Sequence, residues 1–205
     1  MRLFDHPLSG NGYKVRLLLA HLQRSYEYVP IDILKGETRT PSFLQKNPNG
    51  RIPVLELDNG AFVAESNAIL YFLAQNTPYW PRELLEQAQV LQWLFFEQYS
   101  HEPNIATARF WLSIKKVEIT SFYAEALKQK QSQGEAALEV MERHLKSRRF
   151  FVGETYGIAD IALYAYTHLA HEGGFDLEPH GAIRGWLDRV KSQPEHVAID
   201  QWKAV

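Results

Sequence analysis

The groups able to do chemistry in this sequence are hydroxyls, carboxylates, amides and imidazoles, with no thiol among them. None of the 205 residues is cysteine, which excludes a disulfide framework, thiolate metal sites, and a nucleophile or redox pair of that type. Two segments place a hydroxyl where a helix begins. Ser9, in Leu8-Ser9-Gly10-Asn11, follows a short apolar run and precedes a helical pattern. Its hydroxyl would lie near backbone N–H groups and the positive helix end, a place that favours negative charge. Ser9 or Asn11 could equally be a plain helix cap there. Glu65-Ser66 opens another helix and suits either an anion at the helix end or a cap beside a dipole-favouring acid. Between them lies Arg51-Ile52-Pro53. A bond before proline is where a cis peptide costs little, although proline also starts strands. Arg51 can serve an anion or simply be solvated.

Other polar residues carry less. His168, His171 and Glu172 stand at helical spacing, but a third ligand at a recognisable separation is missing, so no metal site is expected. His101 and Glu102 fall in an expected break at Pro103, near Tyr99, Arg109, Phe110 and Trp111. Lys115-Lys116 and the 146–149 basic run fit solvated helix faces.

The elements that must position these residues divide the chain. Val15, Leu18, Leu19 and Leu22 share one face of a helix over 13–22. A strand is expected within 26–33, and Thr40 or Ser42 can cap a short helix through Leu44. Asn59-Gly60, in the Asp58-Asn59-Gly60 stretch between two apolar runs, predicts a hairpin, because both residues accept positive φ. Ile69, Phe72 and Leu73 mark the helix after Glu65-Ser66. Strand–helix–strand, then a hairpin and a covering helix, implies a mixed four-stranded sheet. Beyond a proline-bounded linker at 77–83, helices are expected at 84 onward, 105–126, 136–145, 158–169 and 183–190, with Gly134 among the punctuating residues. The expected organisation is therefore an α/β domain over 1–76 and an all-helical domain over 84–205.

Charge is nearly balanced, 22 Lys and Arg against 24 Asp and Glu, which argues against nucleic-acid binding. No apolar run approaches the roughly 18 residues of a membrane helix, and Asp5 and Pro7 break the start too early for a secretory signal. A cytoplasmic protein without membrane or nucleic-acid partners is expected.

In order and separation, four segments resemble the glutathione transferase family over nearly the whole chain. They are His6-Pro7-Leu8-Ser9-Gly10-Asn11, the stretch from Asn47 through Arg51-Ile52-Pro53 to Leu55, Glu65-Ser66-Asn67-Ala68-Ile69, and Gly157-Ile158-Ala159-Asp160. The resemblance implies a thioredoxin-like N-terminal domain that binds glutathione as co-substrate, and a helical domain contributing the second-substrate pocket. By the same resemblance Ser9 is catalytic, holding the glutathione thiolate with Asn11 as helper or substitute. Ile52 and Pro53 present backbone to the cysteinyl part, with the bond before Pro53 cis. Glu65 and Ser66 take the γ-glutamyl ammonium and carboxylate, and Arg51 a carboxylate. Tyr99, His101, Arg109 and Phe110 are expected to line the second-substrate pocket. Conjugation to a hydrophobic electrophile, in detoxification, is the activity implied. Glutathione-dependent disulfide or peroxide reduction and a non-catalytic regulatory module are the alternatives, and a homodimer is implied throughout. Two positions depart from the family's pattern. Gly157 stands where a Ser or Thr cap is usual, leaving Asp160 a folding role, and Thr38 stands where relatives reach the glycyl carboxylate.

Overall fold

In the computed structural model, which describes residues 1–201, Leu3 and Phe4 sit in the central layer of a four-stranded sheet. Its order is β2-β1-β3-β4, with β1 at Arg2–Asp5, β2 at Glu27–Pro30, β3 at Val54–Glu56 and β4 at Phe62–Ala64. β1 runs parallel to β2, pairing Leu3 with Tyr28, and antiparallel to β3, pairing Leu3 with Leu55. The sheet is mixed, as expected. Helices α1 (Gly10–His21), α2 (Pro41–Leu44) and α3 (Ser66–Ala74) complete this unit. The short α2 is capped by Thr40, whose hydroxyl accepts the Phe43 N–H. The expected hairpin forms around Asp58-Asn59-Gly60, with Leu57 donating to the Ala61 carbonyl at 2.8 Å. Of the Asn-Gly pair only Gly60 takes up positive φ, at 81°.

The chain forms two compact units, Met1–Thr77 together with the stretch from Pro194 on, and Pro78–Gln193. The first therefore includes a C-terminal segment that sequence reading had assigned to the helical domain. Residues 194–201 lie along α1. His21 Nδ1 donates to the Pro194 carbonyl at 2.8 Å, the Tyr13 hydroxyl to Val197 at 2.7 Å, and Arg16 to Ile199 at 2.7 Å. Positions 202–205 of the expected helical domain lie outside the described residues.

The second unit is helical, with α4 (Leu84–Phe96), α5 (Glu102–Arg109), α6 (Ser121–Leu145), α7 (Ile158–Thr167) and α8 (Gly181–Lys191). Two expectations are corrected here. The break at Pro103 is instead a π-helical turn, Glu97–His101, running from α4 into α5, with Pro103 in the first turn of α5. A proline lacks the N–H an α-turn would use, and a wider turn accommodates it. The helix expected over 105–126 is interrupted between Ile114 and Ser121, and Gly134 lies inside α6 rather than ending a helix. A Cβ at Gly134 would come within 2.5 Å of the Phe175 ring, so close packing selects the glycine. Asp160 performs the folding role expected of it. Its carboxylate accepts the Gly157 and Phe151 N–H groups at 3.1 Å each and Trp186 Nε1 at 2.8 Å. Among the described residues no helix is long and apolar enough to cross a membrane.

Candidate functional site

The β1–α1 junction is built by Ser9. Its backbone is extended, at φ −73° and ψ 121°, and its Oγ accepts the Gly12 N–H at 3.1 Å, so it caps α1. An oxygen that accepts at the cap still has its proton to donate, and accepting strengthens it as a donor. Ser9 stays half-exposed, so that proton can reach a bound group.

In the first turn of α1, Asn11 meets the start of α3. Ser66 is buried and donates its hydroxyl to Asn11 Oδ1 at 3.1 Å. This bond ties the N-termini of α1 and α3 together and brings three predicted site residues, Ser9, Asn11 and Ser66, into one neighbourhood. Glu65, just before α3, has φ 68°, uncommon for a residue with a side chain. Its side chain makes no cap bond to the helix; it is exposed, and Oε1 accepts from Asn49 Nδ2 at 3.5 Å.

The loop carrying Arg51-Ile52-Pro53 is shaped by Asn47, which donates to the Arg51 carbonyl at 2.8 Å and accepts the Asn49 N–H at 3.0 Å. The Ile52–Pro53 bond is cis. Arg51 is exposed, Ile52 is half-buried and Pro53 is buried. Thr38 is buried, and Arg39 crosses Gly50 to donate to the Asn49 carbonyl at 3.2 Å. Gly50, at φ 61°, permits this, since a Cβ there would lie 2.7 Å from Arg39 Nη1.

The four residues predicted for a second-substrate pocket divide within the helical unit. Tyr99 is 83% exposed and Phe110 half-exposed. His101 and Arg109 are core side chains instead, which corrects their placement in a pocket wall. His101 is fully buried and its Nε2 donates to the Thr167 hydroxyl at 2.8 Å, because the Thr167 proton is committed to the Leu163 carbonyl. Arg109 is buried and donates to Glu172 Oε2 at 2.7 Å. The π-turn explains His101, since it rotates that side chain inward. Among the described residues no group of three or more His, Cys, Asp or Glu side chains is arranged to hold a metal.

Known proteins share this architecture. The family model for the glutathione S-transferase N-terminal domain matches residues 1–75, and that for the C-terminal domain matches 124–189. A crystal structure of a glutathione S-transferase from Pseudomonas fluorescens superposes with a TM-score of 0.94 at 49% identity, covering 97% of this chain and 98% of that one. The chain belongs to the glutathione S-transferase family. Within the family it is also 29% identical to the disulfide-bond oxidoreductase YfcG of Escherichia coli, over 90% of this chain and 87% of that protein. It is 29% identical to the transcriptional regulator URE2 of Saccharomyces cerevisiae, over 94% of this chain and 65% of that longer protein. A structure of Ure2p in complex with glutathione superposes with a TM-score of 0.84 at 26% identity, covering 95% and 90% of the two chains.

In this glutathione S-transferase fold, one residue beside the site escaped sequence reasoning. Lys14 is fully buried on α1, with Nζ 3.3 Å from Ser66 Oγ and 3.5 Å from Asn67 Oδ1. A signal for it existed. Val15, Leu17, Leu18 and Leu19 leave α1 almost no polar face, so a charged residue among them has to be buried.

Proposed function

We propose that the protein is a glutathione transferase that delivers the glutathione thiolate to a hydrophobic electrophile, acting in detoxification. The observation that carries this is the junction of two helix starts through Ser9, Asn11 and Ser66. A free thiol titrates near 8.5. Lowering that by two units takes about 2.7 kcal/mol. One hydrogen bond to a charged acceptor supplies roughly 1.5–3 kcal/mol, and a helix N-terminus about 0.3–1 kcal/mol. The Ser9 hydroxyl with the Asn11 amide therefore suffices without any thiol of the protein's own. At α3 the Ser66 backbone N–H takes the γ-glutamyl carboxylate and Glu65 accepts from the ammonium. The Ile52 backbone and Pro53 hold the cysteinyl part, and Arg51 a terminal carboxylate. For the second substrate the helical unit offers Tyr99 and Phe110. Catalysis is then thiolate activation plus proximity.

The similarity to YfcG supports a second activity at the same site, glutathione-dependent reduction of a disulfide or peroxide. The URE2 relation supports a third reading, a regulatory module without turnover. A site that needs reduced glutathione belongs in the cytoplasm, where that pool is kept reduced. We infer a homodimer as well, on the exposed apolar residues of α4.

Calorimetric titration with glutathione, followed by turnover of a chloronitrobenzene and of hydroxyethyl disulfide, tests these readings together. Binding with conjugation supports the transferase. Binding with disulfide turnover alone selects the reductase, and binding without turnover the module. A protein that does not bind glutathione loses both enzymatic readings and keeps only the module.

A further inference from the structure

The basic run at 146–149 forms a turn rather than the helix face expected of it. α6 ends at Leu145, and Lys146, Ser147, Arg148 and Arg149 follow in irregular backbone. This turn and one face of α8 bound an open cavity of about 480 Å³ inside the helical unit. Its lining includes Lys146, Arg148, Arg149 and Arg189, with no acidic side chain and no aromatic ring.

Like charges gathered in one place repel unless counter-ions answer them. Other arginines of the same two helices have such counter-ions. Arg143 meets Glu139 at 3.9 Å, and Arg184 meets Glu178 at 3.3 Å. Among the described residues, Lys146, Arg148, Arg149 and Arg189 make no ion pair. Arg189 is also held in place. It is half-buried, and its Nε donates to the Arg149 carbonyl at 3.1 Å, which ties α8 to the turn and leaves the two terminal nitrogens for another acceptor. The Arg149 guanidinium lies over the buried Phe150 ring, 5.7 Å from its centroid. The start of α8 contributes no anion site, because Glu142 already takes the Ala182 and Ile183 N–H groups at 3.1 and 3.0 Å. The helix contributes space instead. A Cβ at Gly181 would have nothing within 4 Å, and one at Gly185 would meet only Arg189 Nη1, at 3.4 Å. Packing within the chain demands neither glycine, and both keep the cavity open.

We propose that this cavity binds a polyphosphate chain, free or carried by a nucleotide, through Lys146, Arg148, Arg149 and Arg189. Several cations without counter-ions suit a ligand with several negative charges, and guanidinium forks match phosphate oxygens in pairs. A monoanion would leave most of that charge unanswered. Without a ring in the lining, a base has no surface to stack on, so the phosphates carry the affinity. The same missing surface, with a net charge of −2 on the chain, disfavours a nucleic-acid strand. The site stands apart from the glutathione reading and does not depend on it.

Calorimetric titration of the full-length protein with tripolyphosphate, ATP and AMP, free of divalent metal and at about 50 mM salt to limit screening, tests the proposal. Tripolyphosphate and ATP should both bind, and AMP about tenfold more weakly or worse. Tighter binding of ATP makes a nucleotide the carrier, and tighter binding of tripolyphosphate the free chain; either supports the site. Arg148→Gln and Arg189→Gln should each weaken tripolyphosphate about fivefold, the size of one exposed charge pair. Arg143→Gln and Arg184→Gln remove the same charge outside the cavity and should leave binding unchanged. Gly181→Glu places a carboxylate where nothing obstructs it, at a helix start that favours an acid, and should abolish binding in a protein with wild-type circular dichroism. A wild-type protein that takes up neither tripolyphosphate nor ATP at millimolar concentration overturns the proposal, as does a folded Gly181→Glu protein that binds normally. Equal losses in the Arg143 and Arg184 variants would reduce the binding to diffuse charge and overturn it too. So would AMP, or polyglutamate of matched charge, binding as tightly as tripolyphosphate.

Discussion

The Ser9 oxygen accepts the Gly12 N–H at 3.1 Å, so the side chain proposed to hold the glutathione thiolate also closes the first turn of α1. The two roles separate by substitution. Ser9→Ala removes both, with a stability loss of about 1 kcal/mol for the cap and a rise in the bound thiol's pKa. Ser9→Asp still caps the helix well, but its carboxylate repels a thiolate. It should melt within a degree or two of wild type while turning over far less substrate. Ser9→Thr keeps both functions. Wild-type turnover in Ser9→Asp would leave Ser9 as a cap only.

Gly12 also faces Asp5, and a Cβ there would overlap the Asp5 carboxylate. Asp5 is buried and bonded to Arg16 Nε at 3.1 Å, and Arg16 further donates to the carbonyls of Pro7 at 2.9 Å and Ile199 at 2.7 Å. Displacing Asp5 therefore disturbs the loop before Ser9 and the docked C-terminal segment together. Breaking a buried ion pair costs about 3–5 kcal/mol, so Gly12→Ala should lower stability by about 3 kcal/mol or more. Urea unfolding measures it. A loss below about 1 kcal/mol would mean that Asp5 moves aside freely.

The sheet, the order of elements and the helix starts were legible because each rests on local chemistry. Leu3 and Phe4 mark a strand, Asn59-Gly60 a turn, and Ser9 and Glu65-Ser66 helix starts. What was not legible depends on neighbours distant in sequence. Gly134 read as a helix breaker because nothing local announces the Phe175 ring over it. His101 looked available because a proline suggested a break, whereas the π-turn turns it toward Thr167. The C-terminal segment is short and lacks periodicity, and its attachment to α1 includes bonds to three backbone carbonyls, which no side-chain pattern encodes. Arg51, Ile52 and Pro53 were readable as a motif, yet the Asn47 bonds that hold their loop were not.

Stability should depend on pH through two buried acids. Burial pushes Asp5 up to about 7 against the pull of Arg16, and pushes Asp160 up to about 7 against its N–H donors. Both ordinarily titrate near 3.8. Between those values the folded protein holds more protons than the unfolded chain, so stability falls as pH rises through 7. Burial lowers His21 and His144, which acts in the opposite sense, and that contribution is lost as pH falls through 6.5. The urea midpoint should therefore rise as pH falls from 8 to 6.5, with the histidines opposing the acids' further gain below that. A midpoint that increases from pH 6.5 to pH 8 would contradict this assignment.

The inferred dimer rests on α4. Leu84, Leu91 and Phe95 fall at i, i+7 and i+11, one face of the helix, and all are exposed, Phe95 at 61%. Apolar residues repeated along one face are costly in water and are the usual core of an interface between copies. Because a two-fold contact presents the same patch from both copies, a single charge enters the interface twice. Phe95→Asp would place two carboxylates in apolar surroundings while leaving the helical core, built on Val90, Trp93 and Leu94 of this helix, untouched. Light scattering should give twice the chain's mass for wild type and the single mass for Phe95→Asp, with unchanged circular dichroism. Equal masses for the two proteins would show that this face of α4 is not where copies meet.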